Sequence, residues 1–243
     1  MNLALIPSRL KSKRLKKKPL LEIDGLPIVV HTFKRVLLAK KVDKVIVCTD
    51  SREIIDVVVK HGGEAVLTSK KHKNGAERIA EVAKKYNPKL VIDIQGDEPL
   101  VDPTDIDKVI NYHKKNMNFD IILPIKKTNN ADDKSLIKVV YSKKKRIMYF
   151  SRAKIPFNYK DKKISYFKDL SVISFKPKAL QNFAKLKPSN FELIEGIELL
   201  RAIENDISIG TFESKGSSFG VNIKQDLMRA INLMPNNKFR KFY

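Results

Sequence analysis

The chain has 243 residues, 42% of them hydrophobic and 31% charged, enough to bury one large α/β core. Its net charge of +22 raises a polyanion partner, but the lysines fall in short groups along the whole chain with no recognisable nucleic-acid motif, so a solvated lysine-biased surface is the stronger reading and nucleic acid is not the expected partner. No stretch approaches the roughly 18 apolar residues of a membrane span, and residue 1 leads into a strand pattern without a signal-peptide profile, so the expectation is a cytoplasmic protein. The lone Cys48, inside an apolar run, excludes internal disulfides and thiolate metal clusters.

In chain order, residues 2–7 (NLALIP) read as a short apolar strand that Pro7 ends before a basic loop over 8–20. After the first strand of an α/β fold, such a loop could cradle a triphosphate, its cations neutralising charge on a transferring phosphorus. Taken alone, the loop reads more readily as an exposed basic arm. Without the Walker glycines, a P-loop NTPase is not the expectation. Ile23-Asp24-Gly25 makes a turn, and Pro27 opens a helix with Ile28, Val29, Thr32, Phe33, Val36 and Leu37 at helical spacing.

A strand over 42–49, a helix over 53–61 and a strand over 65–68 complete a βαβαβ unit. A helix over about 76–86 leads to the run VIDIQGDEPL, residues 91–100, entered from Pro88 and closed by Gly96 and Pro99. This reads as a buried parallel strand that delivers Asp97 and Glu98 to the sheet edge where ligands bind. There Asp97 could hold a divalent cation carrying nucleotide phosphates, or cap the helix that Pro103-Thr104-Asp105 begins. A helix over 105–115 and a strand over 120–125 follow. The alternation predicts a mostly parallel sheet with helices on both faces.

Past Ile125 the rhythm changes. Residues 138–142 and 147–151 read as a hairpin, Pro156 interrupts, and 170–175 is a strand. A short helix within 176–186 precedes a helix over 192–205 with Ile194, Ile197, Leu200 and Ile203 on one face; a strand over 207–212 and a helix over 224–234 close the chain. The pattern is one domain over 1–243, with a mixed-sheet excursion over about 130–180.

Several segments together resemble the CMP-sugar synthetases, and most closely the CMP-Kdo synthetases (3-deoxy-manno-octulosonate cytidylyltransferases). They are Ile6-Pro7-Ser8-Arg9 with Arg14-Leu15 and Lys18-Pro19-Leu20; residues 72–82 (HKNGAERIAEV); Gln95-Gly96-Asp97-Glu98-Pro99; residues 149–156 (YFSRAKIP); and Glu192-Leu193-Ile194-Glu195 with Leu200-Arg201. In this order and spacing they are jointly specific and cover nearly the full chain. The resemblance implies a Rossmann-like nucleotidyltransferase fold, a homodimer formed largely through the excursion, and transfer of CMP from CTP to a 2-keto-3-deoxy sugar acid with release of pyrophosphate. It implies that Arg9, Arg14 and Lys18 hold the triphosphate, with Lys18 the chief catalytic side chain, and that Asn74, Gly75, Glu77 and Arg78 surround the cytidine. Asp97 and Asn222 would bind Mg2+, and Gln95, Arg152, Glu192 and Glu195 would face the sugar acid.

The chain also departs from the family pattern. Lys16 and Lys17 replace a proline and a glycine of the phosphate loop, and Asn74-Gly75-Ala76 replaces Ser-Gly-Thr. Asp169-Leu170-Ser171-Val172-Ile173 replaces a His-x-Gly-x-Tyr run on the sugar side, so an acidic sugar of the Kdo type is implied more firmly than Kdo itself. Asn222 stands where the family carries a second aspartate; an amide oxygen can ligate magnesium without contributing charge, so weaker metal binding is expected. A lapsed homologue that binds nucleotide or sugar without turnover is the alternative these departures raise.

Overall fold

The computed structural model describes residues 1–12, 14–216 and 218–243; Lys13, in the basic loop, lies outside the described residues. Twelve strands and eight α-helices are described: β1 Asn2–Ser8, β2 Glu22–Ile23, β3 Leu26–Pro27, α1 Ile28–Leu37, β4 Lys44–Thr49, α2 Arg52–Lys60, β5 Ala65–Leu67, α3 Gly75–Ala83, β6 Leu90–Ile94 and α4 Pro103–Lys115 come first. Then follow β7 Ile121–Thr128, β8 Lys138–Tyr141, β9 Ile147–Ser151, β10 Tyr166–Asp169, β11 Val172–Phe175, α5 Pro177–Phe183, α6 Asn190–Glu195, α7 Leu200–Glu204, β12 Ile209–Glu213 and α8 Lys224–Leu233.

One sheet of ten strands runs in the order β5-β4-β1-β6-β11-β7-β10-β8-β9, with β12 also paired to β7. Strands β5, β4, β1 and β6 are mutually parallel, as the βαβαβ alternation predicts. Beyond them β11 enters antiparallel between β6 and β7 and opens the mixed-sheet part. All seven residues of β1 are buried, as a central strand covered on both faces requires. Its side chains alternate: Ala4 and Ile6 pack with Val29, Phe33 and Val109 of α1 and α4, while Leu3 and Leu5 pack with Ile79 and Val82 of α3 and Leu180 of α5. A third cluster gathers Ile23, Ile28, Leu100, Val221, Ala230 and Met234, which draws α8 and the preceding turn back against the loops of the amino-terminal half.

The structure differs from the sequence reading in three places. The turn at Ile23-Asp24-Gly25 is the tip of a two-stranded hairpin, β2 with β3, and Asp24 and Gly25 both take the left-handed conformation (φ 47° and 75°) of a two-residue hairpin turn. The expected strand over 170–175 is the second half of a longer path: β10 and β11 are separated at Leu170-Ser171 and pair with successive parts of β7. The helix expected over 192–205 is two helices, because Gly196 adopts φ 63° and ends α6. Among the described residues no helix is long and apolar enough to cross a membrane.

Candidate active site

The site lies beyond the carboxyl ends of β1, β4 and β6, the edge at which open α/β sheets receive ligands. Strand β1 runs out at Ser8 into the basic loop. The loop returns through a single 3-10 turn, Lys18–Leu20, with Pro19 buried at its start and Lys17 in the left-handed conformation (φ 50°) just before it. A lysine rather than a glycine holds that conformation here, and its Nζ bonds both oxygens of Glu53 at 2.8 and 3.0 Å. The loop is thereby tied to α2 through Lys17.

On the opposite wall, Asn74 caps α3: its Oδ1 accepts the Glu77 backbone N–H at 2.8 Å. Gly75 fits because a Cβ there would come within 3.2 Å of the Pro7 ring. Arg78, one turn along, is buried and donates to Thr68 Oγ1 at 2.5 Å and to Asp50 Oδ2 at 3.3 Å, so its guanidinium is fixed at the ends of β4 and β5. His72 completes this wall, with Nε2 at 2.5 Å from Glu81 and Nδ1 at 3.7 Å from Glu77.

The floor comes from the turn after β6. A Cβ on Gly96 would stand 2.8 Å from the Pro7 carbonyl oxygen, so glycine allows the β6 turn to lie against β1. The next residue, Asp97, takes the ammonium of Lys18 on Oδ2. Its carbonyl accepts the Val221 N–H at 2.9 Å, which brings the segment before α8 alongside. Asn222 then presents Oδ1 to Arg14 Nη2 at 3.0 Å. A Cβ on Gly220 would lie 3.2 Å from the Asn222 amide nitrogen and 3.6 Å from both Asp97 Oδ1 and Glu98 Oε1, so the three side chains converge on one space.

These walls enclose a cavity of about 420 Å³ lined by Arg9, Arg14, Lys18, Asn74, Gly75, Arg78, Gln95, Asp97 and Asn222 together with Pro7, Ser8, Lys11, Ser12, Pro19, His72, Lys73 and Gly96. Four expected residues lie outside that lining. Glu77 turns back over its own helix start, accepting from the Lys73 backbone N–H at 2.9 Å and from Asn74 Nδ2 at 3.2 Å. Arg152, Glu192 and Glu195 belong to a separate bonded cluster. Arg152 donates to the carbonyls of Glu195 (2.9 Å), Lys134 (3.1 Å), Ser135 (3.4 Å) and Gly196 (3.4 Å). Glu195 accepts from Ser151 Oγ at 2.6 Å and the Arg152 N–H at 2.9 Å, while Glu192 forms a two-point pair with buried Arg201 at 2.5 and 2.7 Å.

Sequence reasoning gave no role to Asp93 and brought Glu98 to the ligand edge with Asp97, whereas the structure buries both carboxyls behind the floor. Gln95 Nε2 donates to both oxygens of Asp93 at 3.1 Å. Burial, reinforced by the neighbouring charge of Glu198, pushes the Asp93 carboxyl well above its usual range. Burial and then the charge of Asp97 push Glu98 up to about 8. The signal in the sequence was the acidic residue at the inward-facing position 93 of an otherwise apolar strand.

A cationic loop facing a carboxylate at the carboxyl ends of parallel strands, with a capped helix start on the far wall, defines a nucleotide-binding site of the nucleotidyltransferase kind. Comparison with known proteins narrows this: residues 3–209 match the cytidylyltransferase family model, and the chain belongs to that family. It is 36% identical over 229 residues to a 3-deoxy-manno-octulosonate cytidylyltransferase of Leptospira biflexa serovar Patoc, covering 93% of each chain. It is likewise 36% identical over 244 residues to the protein of that name from Fusobacterium nucleatum subsp. nucleatum, covering 98% of each. Among solved structures, a CMP:2-keto-3-deoxy-manno-octonic acid synthetase complexed with CTP superposes with a TM-score of 0.93 at 31% identity, covering 97% of this chain and 98% of that one. The chain is thus a nucleotidyltransferase with the family's fold.

Among the described residues, no group of three or more His, Cys, Asp or Glu side chains could by itself hold a metal ion. Asp97 and Asn222 offer one charged and one neutral oxygen donor. That set fits magnesium, which takes one or two protein ligands and completes its shell from phosphates and water.

Proposed function

We propose that this protein transfers CMP from CTP to Kdo or a closely related 2-keto-3-deoxy sugar acid. The observation that carries the reading is the single cavity in which Arg9, Arg14 and Lys18 face Asp97 and Asn222 on one side and the capped start of α3 on the other. The triphosphate would lie along the loop and the cytidine against Asn74, Gly75 and Arg78. The anomeric hydroxyl oxygen of the sugar acid attacks the α-phosphorus in line, the bond to the pyrophosphate oxygen breaks, and the hydroxyl proton passes to water. Lys18, Arg9 and Arg14 neutralise the charge that spreads over the phosphoryl oxygens and the departing pyrophosphate. Magnesium held by Asp97, Asn222 and phosphate oxygens would add Lewis-acid stabilisation of the same charge.

Gln95, oriented by Asp93, would meet the sugar acid directly. Arg152, Glu192 and Glu195 would serve that side by holding the chain around 192–198 in place. Such a CMP-sugar is an activated donor of the kind used in lipopolysaccharide assembly, and dependence on CTP favours work in the cytoplasm. A homodimer through the mixed-sheet excursion is supported by exposed apolar side chains on it and on the adjoining helix, Met148 on β9 and Phe191, Leu193 and Ile194 on α6.

The test is pyrophosphate release from CTP and magnesium across a panel of sugar acids, with products identified by mass. Kdo or a near relative should give a CMP-sugar, and Lys18→Ala should lower the rate by about 100- to 1000-fold, the loss that follows removal of one transition-state donor. CTP binding without turnover on any acceptor would instead establish a lapsed homologue, the outcome that Asn222 and Asp169 make worth testing.

A further inference from the structure

Each of the two side chains that would ligate the metal already holds a cation from the phosphate loop: Lys18 bonds Asp97 Oδ2, leaving Oδ1 toward Gly220, and Arg14 donates to Asn222 Oδ1 at 3.0 Å. We propose that Lys18 and Arg14 are resident caps on the cation site, so that a divalent cation gains its ligands only when a nucleoside triphosphate draws the two caps away. The proposal rests on the functional reading above and specifies how that site is controlled.

The placement is built from both sides. Lys18 is fixed by its 3-10 turn, with Lys17 tied to Glu53 before it and buried Pro19 behind it. Asp97 is held through its carbonyl by the Val221 N–H, and the Asn222 backbone N–H donates to Asp226 Oδ2 at 2.9 Å. The Lys18 and Asp97 side chains are only 15% and 25% exposed, so their attraction is weakly screened by salt. A cation arriving alone must either break this pair or share Asp97 with an ammonium group against like-charge repulsion. It finds one carboxylate, already neutralised, and a neutral amide already bonded to a guanidinium.

A triphosphate changes the balance, because its oxygens offer Lys18 and Arg14 stronger partners than one carboxylate and one amide. The same move frees Asp97 and Asn222 and supplies the remaining oxygens for the cation. Metal and nucleotide therefore bind with positive coupling, and linkage requires each to raise the affinity for the other by the same factor. The family's second aspartate would weaken this control, since a carboxylate at position 222 attracts a cation with or without nucleotide.

The experiment is Mn2+ binding to the full chain, read from the free-ion electron paramagnetic resonance signal. It compares protein alone with protein plus inorganic tripolyphosphate or CTP, each corrected for Mn2+ bound by the anion in buffer. Wild type alone should bind Mn2+ at least tenfold more weakly than with CTP. Lys18→Met and, separately, Arg14→Met should each bind it more tightly without nucleotide, Lys18→Met by tenfold or more; the melting temperature of each variant reports its folding. Wild type binding Mn2+ as tightly alone as with CTP would overturn the caps while leaving the site itself in place, as would unchanged nucleotide-free binding in both variants. Loss of coupling in the wild-type pair settles the matter even if a variant does not fold. If CTP-loaded wild type holds no Mn2+ beyond that on CTP itself, or Asp97→Asn does not reduce it, the metal assignment fails instead.

Discussion

At the scale of single residues, the site turns on how few charges it contains for the work proposed. Among the described residues that line the cavity Asp97 is the one carboxylate at the proposed metal position, and Asn222 adds an oxygen without charge. Replacing Asn222 by aspartate keeps the side-chain shape and restores the charge that hard cations respond to. The expected outcome is a lower magnesium concentration for half-maximal rate, by several-fold, with the maximal rate equal or higher. Rate titrated against magnesium in both proteins measures it; an unmoved midpoint would place the second ligand elsewhere. It was the resemblance that named Arg9, Arg14, Lys18 and Asp97, which the structure brings to one cavity; the residues alone left the loop open to an exposed arm and Asp97 open to a helix cap. Glu77 and Arg152 were legible as motif members but not in orientation. The side chain at the third helical position folds back over its cap, and a guanidinium with four carbonyls in reach uses them.

At the scale of elements, the start of α3 shows how a loop is held at the nucleotide wall. Glu77 and Glu81 lie one turn apart on the helix and together bind the incoming chain: Glu81 takes His72 Nε2 and the Ser69 N–H (3.1 Å), and Glu77 takes the Lys73 N–H. Residues 69–74 are therefore positioned by two carboxylates that do not line the cavity. Glu81→Gln should loosen that loop without touching the phosphate side, raising KM for CTP several-fold while kcat stays within about twofold, because uniform binding is what is lost. Steady-state kinetics with the sugar acid saturating would show it; an equal fall in kcat would make Glu81 part of the chemistry instead. Elements that the sequence hid have simple causes. Strand β10 (YFKD) carries no apolar alternation and all four residues are half-buried, so nothing in its pattern marks a strand. The helical period over 192–205 continues across Gly196, which breaks the helix by conformation rather than by interrupting the apolar stripe.

At the scale of the whole molecule, the sheet path ends at β9, which among the described residues pairs as a strand only with β8, with a single bridge from Arg146 to Gly210 before it; α6 lies beside it through the Tyr149 and Phe191 rings, 5.8 Å apart. Leu193 and Ile194 on α6 are 70% and 79% exposed, an unusual placement for adjacent large apolar residues unless another surface covers them. Leu193→Lys combined with Ile194→Lys should shift sedimentation toward the monomer while leaving the melting temperature of the fold near its original value. A wild type that sediments as a monomer at every concentration would remove this interface.

The buried carboxyls also give the whole molecule a definite response to pH. Burial pushes Glu98 up to about 8, Glu198 up to about 7 and Asp169 up to about 6, and holds Asp93 well above its ordinary range. In the unfolded chain each loses its proton near the usual carboxyl value of about 4. The folded state then binds more protons than the unfolded one, so these groups contribute stability at low pH that is lost as pH rises through their folded values. Burial acts oppositely on His31 and His113, lowering both to about 4; their contribution is present above the ordinary histidine value and lost as pH falls toward 4. The two effects oppose each other in the acidic range. From about pH 7 upward the histidines are largely neutral in both states; the carboxyl contribution still changes, and toward about pH 8.5 the Cys48 thiol, pushed up by burial, adds to the decline because its unfolded counterpart begins to ionise. With a chelator present and no nucleotide, the urea midpoint should therefore fall between about pH 7 and pH 8.5. Glu98→Gln, which keeps a neutral side chain of the same shape, should flatten much of that decline. A midpoint that stays level or rises across the window would mean that Glu98 and Glu198 are charged within the fold, and that the turn after β6 is held by ionic contacts rather than by neutral carboxyl groups.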